Sequence, residues 1–200
     1  MTTQTSRTAT LNRQTGETDI TLSLAIDGHG KSNIQTGIGF FDHMLDALAR
    51  HGGLDLDIQV KGDLHIDDHH TIEDVGITLG EALHRAIGDK RGIERFGSAL
   101  VPLDEALCEA VVDISGRPFL AWNISFPREM IGNMATEMVE EFFRALCMSA
   151  RITVHMNCRA GTNAHHIAES AFKSFARALR MALSRDPRSA GRIPSTKGVL

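Results

Sequence analysis

The chain has 200 residues, 42% of them hydrophobic, and a formal net charge of −4, enough to bury an ordinary core in one compact unit or two small fused ones. No run of Lys and Arg exceeds two residues, so there is no basic footprint for nucleic acid. No stretch approaches the roughly 20 apolar residues of a membrane helix, and the polar start 1–16 lacks the apolar segment of a secretory signal, so a cytoplasmic location without membrane partners is expected.

In chain order, a weak strand around Arg7 to Arg13 precedes strict alternation at Ile20, Leu22, Leu24 and Ile26, a half-buried strand. Phe40, Phe41, Met44, Leu45 and Leu48 recur at helical spacing, and Gly52-Gly53 ends that helix. Leu54, Leu56, Ile58 and Val60 alternate as a strand, and Ile72, Val75, Leu79, Leu83 and Ile87 trace a second helix closed by Gly88. The first half therefore reads ββαβα. The second half repeats the order. Cys108 to Ile114 alternates, Gly116-Arg117-Pro118 turns the chain, and Leu120 to Phe126 alternates as a returning strand. A helix through Met138, Phe142 and Leu146, a short strand at Ile152 to Met156, and a helix through Ile167, Phe175 and Leu179 follow. Internal duplication accounts for this repetition, with the join between Gly88 and Gly97 and halves at 1–92 and 93–200. The fold class predicted is an α/β (α+β) sandwich of two ββαβα units, ribosomal S5 domain 2-like or ferredoxin-like, with helices on one face of each sheet. Each sheet's bare face then needs cover, from the other half or from another subunit.

Histidine is the unusual entry in the composition, with ten residues, and its placement is not random. Both halves open their last helix with one motif, His69-His70-x-x-Glu73 and His165-His166-x-x-Glu169, its members 96 residues apart. Residues i and i+4 share a helix face, whereas i and i+1 diverge by about 100°. His69 with Glu73, and His165 with Glu169, can each grip one ion, while His70 and His166 must serve a different one. A single copy would read as an exposed or capping cluster. Two copies in register point to metal, and mixed imidazole and carboxylate ligands suit Mn²⁺, Fe²⁺ or Zn²⁺. Cys108, Cys147 and Cys158 have no CxxC spacing and read as reduced thiols rather than zinc ligands. His43, on the earlier helix, has its counterpart about 98 residues on at Glu141, and both side chains can ligate a metal.

These segments resemble imidazoleglycerol-phosphate dehydratases: Phe41-Asp42-His43-Met44-Leu45, Asp68-His69-His70-Thr71-Ile72-Glu73-Asp74, Ser115-Gly116-Arg117-Pro118, His165-His166 with Glu169 and Phe172-Lys173, and Pro194-Ser195-Thr196-Lys197-Gly198. The resemblance implies a 24-subunit homo-oligomer and two Mn²⁺ per site, one held by His43, His70, His165 and Glu169, the other by His69, Glu73, Glu141 and His166. Many members have His where this chain has Glu141. The resemblance also implies substrate contacts from Glu17, His51, Arg95, Arg117, Lys173, Ser195, Thr196 and Lys197, the basic ones as charge-assisted donors to phosphate. The C-terminal segment would then fold over the phosphate instead of fraying.

The reaction implied is dehydration of imidazole glycerol phosphate to imidazole acetol phosphate in histidine biosynthesis, through an imidazolate stabilised by the two metals. Glu17 is the candidate acid/base, acting with His43, His70 and Glu169. Two other readings stay open on the residues alone. A dimetal hydrolase would use a similar ligand set, and a nucleic-acid-binding or assembly module would need no metal but a basic face.

Overall fold

A computed structural model describes residues 6–189 and 191–200. Ten strands and four α-helices follow in the order β1 (Thr8–Gln14), β2 (Thr18–Ala25), β3 (Ser32–Gln35), α1 (Gly39–Gly52), β4 (Asp55–Gly62), α2 (His69–Ile87), β5 (Phe96–Leu103), β6 (Ala106–Asp113), β7 (Phe119–Asn123), β8 (Met130–Ile131), β9 (Met134–Ala135), α3 (Glu137–Ala150), β10 (Thr153–Ala160) and α4 (Ala164–Leu183). One four-stranded sheet runs β1-β2-β4-β3 and the other β5-β6-β10-β7. In each, the first two pairings are antiparallel and the last strand, β3 or β7, lies parallel to its neighbour. The duplicated α/β sandwich expected from the sequence is the fold observed.

Each four-stranded sheet holds one strand more than the sequence pattern gives, which changes how the copies align. Strand β3 has a single large apolar residue, Ile34, in Ser32–Gln35, too little for a periodic signal. Strand β5 hides for a different reason. Its inward positions are Gly97, Ala99, Val101 and Leu103, while Phe96 and Leu100 face out. A Cβ at Gly97 would meet the Ala178 carbonyl of α4 at 2.0 Å, so close packing against that helix requires the smallest residue there and erases the alternation. The segment Leu120 to Phe126, expected to return beside Cys108 to Ile114, instead supplies β7, which pairs in parallel with β10. The hairpin β1-β2 therefore corresponds to β5-β6.

Helices α1 and α2 cover the first sheet, α3 and α4 the second, and the helical layers meet with α2 on α3 and α1 on α4. Apolar residues drive this assembly. Phe41 of α1, Phe142 and Phe143 of α3, and Phe172 and Phe175 of α4 are fully buried and touch as stacked or edge-on rings 4.8–5.3 Å apart. Helix α2 approaches α3 so closely that a Cβ at Gly80 would sit 2.5 Å from the Leu146 carbonyl. Four of these five rings lie within three residues of a predicted ligand, so the core also fixes where those candidate side chains stand.

The outer sheet faces differ in character. The first is polar, with Thr10, Asn12, Asp19, Thr21, Asp57 and Lys61 outward. The second exposes Phe96, Leu100, Val111 and Phe119.

Candidate metal centre

Packing of α1 on α4 joins the two copies of the repeat at one point. His43 Nε2 lies 3.3 Å from Glu169 Oε2, and His165 Nε2 lies 3.1 Å from the same oxygen. One ligand atom from each of His43, His165 and Glu169 falls within 4.8 Å of the other two. The His165–Glu169 contact is the i, i+4 pair that helix geometry allows. Lys173, one turn further along α4, reaches the other carboxylate oxygen, Oε1, at 2.6 Å. Burial pushes the Glu169 carboxyl up, but Lys173, His165 and His43 outweigh it and hold the group at about 2. His51 lies in the last turn of α1, half-buried, with its pKa lowered by burial and by the nearby Lys173 and Arg177.

Several polar links set the helix starts. Asp42, beside His43, accepts from the Thr36 amide at 2.9 Å. Asp74, beside Glu73 on α2, is buried and takes Arg13 Nη2 at 2.7 Å and the Thr18 hydroxyl at 2.5 Å, tying α2 to the β1-β2 hairpin. Asp68 accepts from the Ala135 amide at 2.7 Å, tying the start of α2 to the strand that precedes α3.

The second predicted set is more open. His69 is exposed, while Glu73 and Glu141 are half-buried. No hydrogen bond joins these three among the described residues, and Glu141 pairs with Arg144 at 2.8 Å. His70 and His166 diverge from their neighbours as adjacent helical residues must. His70 Nδ1 is 3.0 Å from Asp63 and its Nε2 is 3.6 Å from Glu17. His166 Nδ1 is 2.7 Å from Glu105 and its Nε2 is 4.0 Å from Asp104. These carboxylates raise both histidine pKa values. His166, with the Asn163 amide, brings the Glu105 carboxyl down to about 2.

Glu17 stands in the β1-β2 turn, where Thr15 Oγ1 accepts from the Glu17 and Thr18 amides at 3.1 and 3.0 Å. A further group lies around Asp113. Arg95 donates to it at 2.8 Å and to the Pro194 carbonyl at 2.8 Å, and Arg117 Nη2 stands 3.9 Å away. Arg95 thereby tethers the segment with Ser195, Thr196 and Lys197, where Ser195 Oγ accepts from the Lys197 amide at 3.1 Å. Among the described residues, no hydrogen bond or ion pair connects this cationic group to His43, His165, Glu169 or Lys173.

Sequence reasoning passed over Asp63, Asp104, Glu105 and Lys90. Asp104 and Glu105 form the β5-β6 turn, the counterpart of the turn that carries Glu17, a correspondence visible only once β5 is recognised. Lys90 is buried at 6% exposure with φ 61°, and burial lowers its pKa. Its Nζ faces Gly116, where an added Cβ would meet it at 3.1 Å.

The donor set fits a divalent ion. His43, His165 and Glu169 offer two imidazoles and a carboxylate converging from two helices, and borderline metals accept such ligands. Fold and site together define an internally duplicated α/β protein in which two histidines and a carboxylate from helices of opposite copies converge on a candidate metal site. A family model for imidazoleglycerol-phosphate dehydratase matches residues 36–179. Imidazoleglycerol-phosphate dehydratase of Gluconobacter oxydans (strain 621H) is 72% identical over 195 residues, covering 98% of each chain. That of Gluconacetobacter diazotrophicus is 69% identical over 196 residues, covering 98% of this chain and 99% of the relative. The crystal structure of the Staphylococcus aureus subsp. aureus N315 enzyme superposes with a TM-score of 0.82 at 42% identity, over 90% of this chain and 99% of that one. The Pyrococcus furiosus structure in complex with (S)-C348 gives 0.81 at 39% identity, over 95% and 100%. This chain belongs to the imidazoleglycerol-phosphate dehydratase family, whose members are hydro-lyases.

Proposed function

We propose that this chain dehydrates imidazole glycerol phosphate to imidazole acetol phosphate in histidine biosynthesis, using two divalent ions, Mn²⁺ by family resemblance. The observation that carries the reading is the convergence of His43, His165 and Glu169, one residue from the first copy and two from the second. These three, with His70, would hold one ion; His69, Glu73, Glu141 and His166 would hold the other. When bound, the ions supply positive charge beside the substrate's imidazole and favour its deprotonated ring.

The chain's own residues supply the rest. Lys173, already on the Glu169 carboxylate, and the Arg95–Arg117 group with Ser195, Thr196 and Lys197 provide charge-assisted donors for the phosphate. His51, half-buried near Lys173, lines the same approach. The hydroxyl on the carbon that bears the ring leaves as water, Glu17 takes the proton from the adjacent carbon, and the resulting enol becomes the ketone when the ring-bearing carbon takes up a proton. Its place 3.6 Å from His70 Nε2 supports that role.

The reading extends to assembly. His70 stands with Asp63 and Glu17 rather than with His43, and the phosphate donors form a group separate from Lys173. Both features support sites completed between subunits of a homo-oligomer, with 24 copies by resemblance, in the cytoplasm. The exposed Phe96, Leu100, Val111 and Phe119 on one sheet face supply an apolar surface such an assembly would cover. The test is an assay of purified protein with imidazole glycerol phosphate, before and after chelation and after return of Mn²⁺, with sedimentation in parallel. Turnover that survives complete metal removal, or an active monomer, would overturn the reading.

A further inference from the structure

Two carboxylates outside the implied ligand sets, from different loops, meet the same ring atom of corresponding histidines in the two copies. We propose that Asp63 and Glu105 are positioning residues, each fixing one histidine of its copy, His70 or His166, so that its Nε2 is free to bind metal. The inference rests on the dimetal reading above.

In both copies the same ring nitrogen meets a carboxylate, Nδ1 of His70 with Asp63 at 3.0 Å and Nδ1 of His166 with Glu105 at 2.7 Å. An ionised carboxylate accepts hydrogen bonds and donates none, so each Nδ1 carries the proton. In the neutral ring the lone pair then belongs to Nε2, the arrangement by which a carboxylate orients a metal-binding histidine and sets its tautomer. Neither Nε2 has a hydrogen-bond partner among the described residues, the nearest carboxylates being Glu17 at 3.6 Å and Asp104 at 4.0 Å, and the two histidine side chains are 32% and 28% exposed.

Both residues are themselves anchored, Glu105 through its carboxylate and Asp63 through its backbone amide. Glu105 Oε1 accepts from the amides of Asn163 at 2.8 Å and Thr162 at 3.2 Å, immediately before α4. Asn163 Oδ1 in turn accepts from the His165 amide at 2.9 Å and caps that helix. The Asp63 amide donates to the Glu17 carbonyl at 3.1 Å. The two shelves come from different loops, Asp63 from the end of β4 and Glu105 from the β5-β6 turn. A surface ion pair inherited with the duplication would use corresponding residues; here unlike positions deliver a carboxylate to the same ring atom. That recurrence marks a requirement of the histidine rather than of either loop.

The experiment uses metal-depleted full-length protein and Mn²⁺ alone, with bound metal per chain measured by equilibrium dialysis. The wild type should bind two ions. Asp63→Asn should weaken only the ion served by His70, and Glu105→Gln only the ion served by His166, each by about 10–100-fold. Asp63→Glu and Glu105→Asp, which keep the charge, should recover part of that loss, and the metal-free melting temperature reports whether each variant folds. Should an amide variant fail to fold, its charge-retaining partner decides: it must bind both ions, one of them more weakly. Wild-type affinity at both sites in the amide variants, or equal weakening of both ions by one substitution, overturns the proposal. A wild type that binds fewer than two ions overturns the dimetal reading itself.

Discussion

His43 and Glu169 meet at 3.3 Å although they lie 126 residues apart, on helices from opposite copies of the repeat. Their contact depends on the buried Phe41 and Phe172, which stand two or three residues from them on the same helices. The expected consequence is that His43→Ala and Glu169→Ala each release one of two Mn²⁺ per chain and abolish turnover, because a ligand's loss removes metal and chemistry together. Metal analysis beside the rate measurement checks this. Retention of both ions with normal turnover in either variant would exclude the pair as ligands.

Helix packing sets the other half of the site. Gly80→Ala places a methyl group 2.5 Å from the Leu146 carbonyl, and neither backbone can yield without parting α2 from α3. Overpacking of this kind costs about 1–3 kcal/mol, a fall in melting temperature of roughly 2–12 °C for a chain of this size. The shift should also weaken the ion assigned to His69, Glu73 and Glu141, which span these helices, more than the one at His43 and Glu169. Calorimetry and Mn²⁺ titration of the variant measure the two effects separately.

The duplicated motif made the candidate cluster legible in the sequence, because helix geometry alone separates His165 and Glu169 from His166. The family resemblance covered the cationic group. The carboxylates on the lone histidines were not legible. Finding Glu105 requires aligning its turn with the one that carries Glu17, and that alignment fails when β5 is missed. Strand β5 is silent because Gly97 must be small beneath α4 while Phe96 and Leu100 face outward, so packing inverted the pattern that marks a half-buried strand. The pairing of β7 with β10 was also out of reach, since alternation gives a strand's faces but not its neighbour.

The metal-depleted protein should lose stability on both sides of mild acidity. Although burial raises the Glu169 carboxyl, Lys173, His165 and His43 hold it at about 2, below its ordinary 4.5. A depressed acid contributes stability that is complete above 4.5 and is lost as pH falls toward 2. His70 and His166 are raised above 6.5, chiefly by Asp63 and Glu105. Their contribution is complete below 6.5 and disappears as pH climbs through the raised values. Melting temperature against pH should therefore peak between these windows, and Glu105→Gln should flatten the alkaline side. A curve that rises steadily from pH 6 to 9 would contradict this.

Glu17 offers the sharpest separation of chemistry from binding. Its turn is built by Thr15 and Thr18, whose contacts use the Glu17 backbone and not its carboxylate, so Glu17→Gln preserves the loop. The amide keeps the size and hydrogen-bonding capacity of the side chain but cannot take up a proton. If Glu17 is the acid/base, kcat falls by roughly 10²–10⁴ while KM and metal content stay near wild type. His70→Ala behaves differently, losing metal and substrate affinity together, since it removes a ligand rather than a base. Measuring rate, substrate affinity and bound Mn²⁺ for both variants in one series distinguishes the roles. Near-normal turnover in Glu17→Gln would reduce Glu17 to a binding residue and move the proton transfer to another group.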